Sequence, residues 1–179
     1  NYRGGRGYDN PYWVINNVPG VEEVHRVFGN FKTNFSVNDW INFGLNVGVD
    51  VTSDKRKQSF EIGSSTNLTG RIILDDYLTR QTDLNLFATG DVDISDDFSF
   101  NYLVGVNFFS FVRDRLNEVG VGLLFPGFMD ISNTTTLSGF EDKTSYRSMG
   151  IFLNSQIGWK DMLYINFSAR QDYDTRLRD

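Results

Sequence analysis

The sequence predicts an all-β chain: three long antiparallel hairpins forming about six strands of a larger transmembrane β-barrel. Three observations predict it. Apolar residues recur with period two in six segments, each hairpin closes on a short turn rich in Asp or Asn, and the strands are longer than a soluble sheet needs.

In the first hairpin, Val27, Phe31, Phe35 and Val37 share one face with Gly29 and Thr33. Asn30, Lys32, Asn34 and Ser36 take the other face, with Phe28 the exception. Past Asn38-Asp39-Trp40, the apolar set Ile41, Phe43, Leu45, Val47, Val49 and Val51 alternates with Asn42, Gly44, Asn46, Gly48 and Asp50. The second hairpin sets Leu84 to Ile94 against Phe98 to Phe108 around Ser95-Asp96-Asp97, with Asp91, Asp93, Asn101 and Asn107 on the polar side. The third runs Met149 to Ile157, turns at Trp159-Lys160-Asp161, and returns through Leu163, Ile165, Phe167 and Ala169. Its polar side carries Asn154, Gln156, Asn166 and Arg170.

Strand length selects the membrane. Strands of soluble sheets average about 5–6 residues, whereas one crossing a bilayer at a steep tilt takes about 9–11. Four of the segments alternate over eleven residues. Trp40, Phe98 and Trp159 near the turns fit an aromatic girdle. Between hairpins, Ser53–Thr69 and Arg113–Ser145 read as long polar loops, the asymmetry that transmembrane barrels show. A soluble secreted β-sandwich binding module is the main alternative, and it requires Phe31, Phe43, Leu45 and Val47 to bury against a second sheet. A passive porin barrel is another.

Composition narrows the function. The chain has 179 residues, a net charge of −6, no Cys and one His. An acidic balance argues against nucleic acid, because phosphate binding needs clustered Lys and Arg. Without Cys there is no thiolate metal site or Cys nucleophile, and one His makes poor material for a catalytic triad or a multi-His site. Neither a cofactor nor an enzyme activity is expected. Asp91, Asp93, Asp96 and Asp97 lack the glycine and bidentate Glu of a calcium loop and read as a solvated turn. Asp75/Asp76 and Glu22/Glu23 are strand neighbours that point to opposite faces, so they do not make a glycosidase pair. His25, placed before the first strand, reads as a solvated loop residue. The run Lys55-Arg56-Lys57 reads as a solvated loop tip, or a contact for lipopolysaccharide phosphates or a lid subunit.

Six strands do not close a barrel, since bacterial barrels start at about eight. The chain also opens at Asn1 without Met or a signal peptide. Residues 1–179 are therefore expected to be part of one larger barrel domain.

Four stretches together resemble the SusC/RagA group of TonB-dependent outer-membrane transporters. They are Asn10-Pro11-Tyr12-Trp13; Gly29-Asn30 through Asp39-Trp40 to Gly48-Val49-Asp50, followed by Asp54 and Arg56; Gly122-Leu123 through Pro126-Gly127-Phe128-Met129-Asp130-Ile131-Ser132-Asn133; and Gly158-Trp159-Lys160-Asp161 through Tyr164 to Ala169-Arg170-Gln171-Asp172-Tyr173. Gln171 and Tyr173 depart from the group's usual Asn and Trp. The resemblance implies a 22-stranded barrel with an N-terminal plug, whose plug, TonB box and closing strand this chain does not contain. It implies import of glycans or peptides across the Gram-negative outer membrane, energy delivered through the TonB complex, and a SusD-like surface lipoprotein as lid. Lipid and lipopolysaccharide would surround the wall. Candidate contacts to substrate or plug are Asn42, Asn46, Asp50, Asn101, Asn107, Asn154, Gln156, Asn166 and Arg170, whose amides and charges can meet sugar hydroxyls or peptide groups. Phe125 and Phe128 are candidate contacts in an external loop, with packing inside that loop as the alternative.

Overall fold

The computed structural model describes residues 7–38 and 40–177. Asp39 of the expected first turn lies outside the described residues. Six strands form one sheet in chain order: β1 (Gly20–Asn38), β2 (Ile41–Phe60), β3 (Arg71–Ser95), β4 (Phe98–Leu123), β5 (Thr134–Trp159) and β6 (Leu163–Asp174). The expected all-β antiparallel meander is what the chain forms. In the last hairpin Gln156 faces Asn166 and Ile157 faces Ile165, so the polar and apolar sets read from the sequence stay on their own sides. Register is pinned this way because a one-residue slip would exchange the faces.

Two compact units divide the contacts. The first comprises residues up to Arg26, Thr52–Thr79 and Arg113–Lys143; the second comprises Val27–Val51, Arg80–Val112 and the chain from Thr144. Among the described residues the second unit has no buried apolar side chain. Phe31, Phe35 and Ile165 are 61%, 67% and 61% exposed, and Phe43 is 42% exposed. The sandwich alternative therefore fails, since one sheet is present and its apolar face is bare. Among the described residues the buried apolar side chains are Ile72 and Leu123, both in the first unit. No helix of the described residues is long and apolar enough to cross a membrane.

The expected long loops are mostly strand. β2, β3, β4 and β5 run 20, 25, 26 and 26 residues, so the two expected long loops shrink to the connections 61–70 and 124–133. A strand shows period two only where one face must be apolar; past the alternating stretches both faces are mixed, so the ladder leaves no mark on the sequence. Two further corrections follow from this length. His25 lies within β1, paired with Glu23 at 2.8 Å, rather than in a loop. Lys55-Arg56-Lys57 lies within β2 rather than at a loop tip.

A short helix precedes the sheet, α1 (Pro11–Asn17). Asn10 caps it, its Oδ1 accepting from the Tyr12 N–H at 2.9 Å, and Pro11 opens the first turn, where no N–H is needed. Two turns are too few for a helical period, which is why spacing gives no sign of it. The Trp13 indole N–H donates to the buried Ser64 hydroxyl at 3.2 Å and so ties α1 to the 61–70 connection.

Candidate functional site

Polar groups gather on one face of the second unit. Asn30 Nδ2 donates to Asn46 Oδ1 at 2.6 Å, linking β1 to β2. On β3 and β4, Asn107 donates to Asn85 Oδ1 at 2.9 Å and to Asp83 Oδ2 at 3.3 Å, while Asn85 donates to Asp83 Oδ1 at 2.5 Å. Asn101, with its amide nitrogen turned toward Asp91, lies 2.7 and 2.8 Å from that carboxylate's oxygens. Gln156 donates to Asn166 Oδ1 at 2.8 Å across β5 and β6. Arg170 holds Asp172 two residues along the same strand, its Nε 2.9 Å from both carboxylate oxygens. Rings settle into gaps between these groups: a Cβ at Gly44 would overlap the Phe87 ring, and one at Gly105 would meet the Phe152 ring.

The sequence-derived candidates thus fall into two sets. Asn46, Asn101, Asn107, Gln156, Asn166 and Arg170 are joined into cross-strand or same-strand polar pairs. Asn42 and Asp50 take their places on β2, and Asn154 on β5.

The first unit holds a row that the sequence did not disclose. Arg56 of β2 lies 5.4 Å from the centroid of the Tyr77 ring, and Arg115 of β4 lies 5.3 Å from it. Arg115 also lies 5.1 Å from the Phe140 ring of β5. Each guanidinium is charge-compensated: Arg56 Nη2 is 2.6 Å from Asp54 and 3.3 Å from Glu22, and Arg115 Nη2 is 2.7 Å from Asp75. Asn117 adds a bond to Asp75 at 3.0 Å. Donating hydrogen bonds to Asp54 and Asp75 raises both arginine pKa values further above their ordinary range, so the row stays cationic at any working pH. Its members lie tens of residues apart in sequence, and the available signal was only the repeated polar-x-polar spacing of Asp54 with Arg56 and of Arg113, Arg115 and Asn117.

The connections of the first unit are tied rather than loose. Glu61 Oε2 accepts from the Gly127 N–H at 2.7 Å, joining 61–70 to 124–133. Gly122 N–H donates to Gly70 C=O at 3.1 Å, and Leu123 N–H to Thr69 C=O at 2.8 Å. Asn133, 3% exposed, donates to the carbonyls of Phe125 (2.8 Å) and Phe128 (2.7 Å) and accepts from the Phe125 N–H at 3.1 Å. The Phe125 and Phe128 rings themselves are 66% and 55% exposed, so backbone bonds and not ring packing hold this loop. Asp130 accepts from the Ser132 hydroxyl and N–H at 2.6 and 3.0 Å, which keeps its carboxyl below the ordinary 3.8. Asn133→Ala would strand two carbonyls and one N–H, a loss of about 1–3 kcal/mol. The expected readout is faster hydrogen exchange at the Phe125 amide; an unchanged rate would show that Asn133 does not hold the loop.

The Asp96-Asp97 turn also behaves as a structural element. Lys160 Nζ is 3.4 Å from Asp97 Oδ2, and its N–H donates to the Asp97 carbonyl at 2.8 Å. Among the described residues no group of three or more His, Cys, Asp or Glu is placed to hold a metal ion.

Comparison with solved structures decides the fold family of this sheet. The RagAB peptide transporter matches 94% of this chain with a TM-score of 0.84 at 19% identity. The fold is that of a stretch of RagAB. The RagAB peptide importer in its open-open state matches 93% of the chain (TM-score 0.82, 20% identity), and in its closed-closed state 90% (TM-score 0.81, 19% identity). The chain spans 19%, 19% and 18% of those RagAB chains, so it corresponds to a segment of a much larger transporter. No protein-family model and no curated protein matches the sequence. The SusC/RagA resemblance carried by the four motifs is borne out as a likeness of fold. Those motifs prove to be the corners of the RagAB-like sheet: Asn10 to Trp13 starts α1, Asn38 Oδ1 accepts from the Trp40 and Ile41 N–H groups, and Asn133 closes the 124–133 connection.

Proposed function

We propose that this chain is part of the barrel wall of an outer-membrane importer of peptides. One observation carries the reading: a single sheet presents a bare apolar face, with Phe31, Phe35 and Ile165 more than half exposed, behind a face of hydrogen-bonded Asn, Asp and Gln. In water such an apolar face is a liability; against hydrocarbon it is the stable arrangement. β1 and β6 are the edges, and they find partners in the remaining strands of a closed barrel. The likeness to RagAB supports peptides as cargo and transport in place of catalysis. On this reading a SusD-like lipoprotein covers the 61–70 and 124–133 end, and the TonB complex supplies energy through a plug domain.

Topology is the direct test. Leu68, 69% exposed on the 61–70 connection, and the exposed Asp96 are suitable positions for cysteine in a chain that has none. In the full-length transporter on intact cells, a membrane-impermeant thiol reagent should label Leu68→Cys and spare Asp96→Cys, because long connections face outward and short turns face the periplasm. Labelling at Asp96→Cys alone would invert the topology and end the import reading.

A further inference from the structure

A recess of 370 Å³ opens on the polar face of the second unit. Phe28 of β1 and Phe109 of β4 stand at its sides, with Asp50 of β2 and Gln81 and Asp83 of β3 between them. Gly48 leaves its floor open: a Cβ there would come no closer than 3.6 Å to any neighbour. The volume falls in the range of about 300–1,000 Å³ usual for ligand sites, and the mixture of rings with a few fixed polar groups is also that of a binding site.

Asp83 sets the chemistry. Its two oxygens accept from the side-chain amides of Asn85 and Asn107. Both donors are neutral, and among the described residues Asp83 has no Lys or Arg partner. This contrasts with Asp54, Asp75 and Asp172, each of which has an arginine. The two amides aim the carboxylate while leaving acceptor capacity free, since an ionised carboxylate has about four lone-pair sites. By strand alternation, the polar face of β3 over 81–95 carries Asp83, Asp91 and Asp93 and no Lys or Arg, while Lys32 lies on the polar face of β1. A carboxylate oriented by two neutral amides, in a recess that also presents aromatic rings, suits a basic side chain. Its methylenes lie along the rings, and its charged head meets both the ring faces and Asp83. A neutral sugar would displace water from Asp83 and leave the charge uncompensated, which is costly.

We infer that this recess is a subsite for a lysine or arginine side chain of the transported peptide, with Asp83 as its counter-charge. The inference rests on the importer reading above and adds a preference that the reading does not contain. The test uses the full-length transporter purified in detergent and two peptides that differ only in a central lysine or norleucine. The lysine peptide should bind roughly ten-fold more tightly. In Asp83→Asn that preference should vanish while the norleucine peptide binds as before. Gly48→Leu, which fills the floor, should likewise remove most of the preference. The heat-dependent shift of a folded barrel on a gel serves as the folding check. If Asp83→Asn fails that check, Gly48→Leu carries the comparison, and an undiminished lysine preference in it overturns the subsite. Persistence of the preference in folded Asp83→Asn does the same. Equal binding of both peptides to the native protein overturns the subsite and leaves peptide import standing. Failure of both peptides to bind the native protein overturns the peptide reading and the subsite with it.

Discussion

Arginine at position 47 should cost an assembled barrel about 2–4 kcal/mol, while arginine at position 46 should cost little. The two positions are neighbours on β2, yet Val47 belongs to the apolar set and Asn46 is hydrogen-bonded to Asn30 on the polar face. A guanidinium replacing Val47 must leave water for hydrocarbon or bend to reach the interface. One replacing Asn46 stays in a hydrated lumen and loses a single hydrogen bond, about 1 kcal/mol. The quantity to measure is the fraction of full-length protein that folds into lipid, over a denaturant series. Equal losses for Val47→Arg and Asn46→Arg would refute the assignment of faces and with it the barrel.

Gly70→Ala should lower the stability of the tied connections by about 2–5 kcal/mol, through two separable causes. Gly70 has φ +80°, where a side chain of the L hand is strained by about 1–2 kcal/mol. Its added Cβ would also stand 2.6 Å from the side chain of Leu123, one of the two buried apolar side chains among the described residues. Moving that side chain off its seat costs roughly 1–3 kcal/mol. Trp13 reports on this unit through its bond to Ser64, so its fluorescence across a urea titration, with Trp40 and Trp159 replaced by Phe, reads the effect. Combining Gly70→Ala with Leu123→Ala should relieve the overlap but not the backbone strain. Simple additivity of the two substitutions would rule out the contact as a cause.

The parts of this fold legible from sequence are those where one face has to be apolar. Ile41 to Val51 announces its strand and its orientation together, because every second residue answers to the same surroundings. No such condition acts on Arg71–Asp83 or Arg113–Glu118, and there the ladder continues without a pattern. The polar candidates were found for the same reason: Asn46, Asn107 and Gln156 are the odd ones out in an alternation. Arg115 with Asp75, and Arg56 with Tyr77, were not, since their partners lie on other strands and nothing local marks them. Asp83 escaped notice because it sits just before the alternation of Leu84 to Ile94 begins.

The extension of the strands changes what a protease finds. Trypsin needs a stretch of chain that can leave its neighbours and lie extended in a cleft, with Lys or Arg at the cut. Had 53–69 been a loop, Lys55-Arg56-Lys57 would have been the first bond region to go. In β2 those residues belong to the backbone ladder, and opening them means peeling a strand from the sheet. The two long connections, 61–70 and 124–133, contain neither Lys nor Arg. Under the topology proposed above, the end that faces outward therefore offers trypsin-like cleavage no Lys or Arg in either of its long connections.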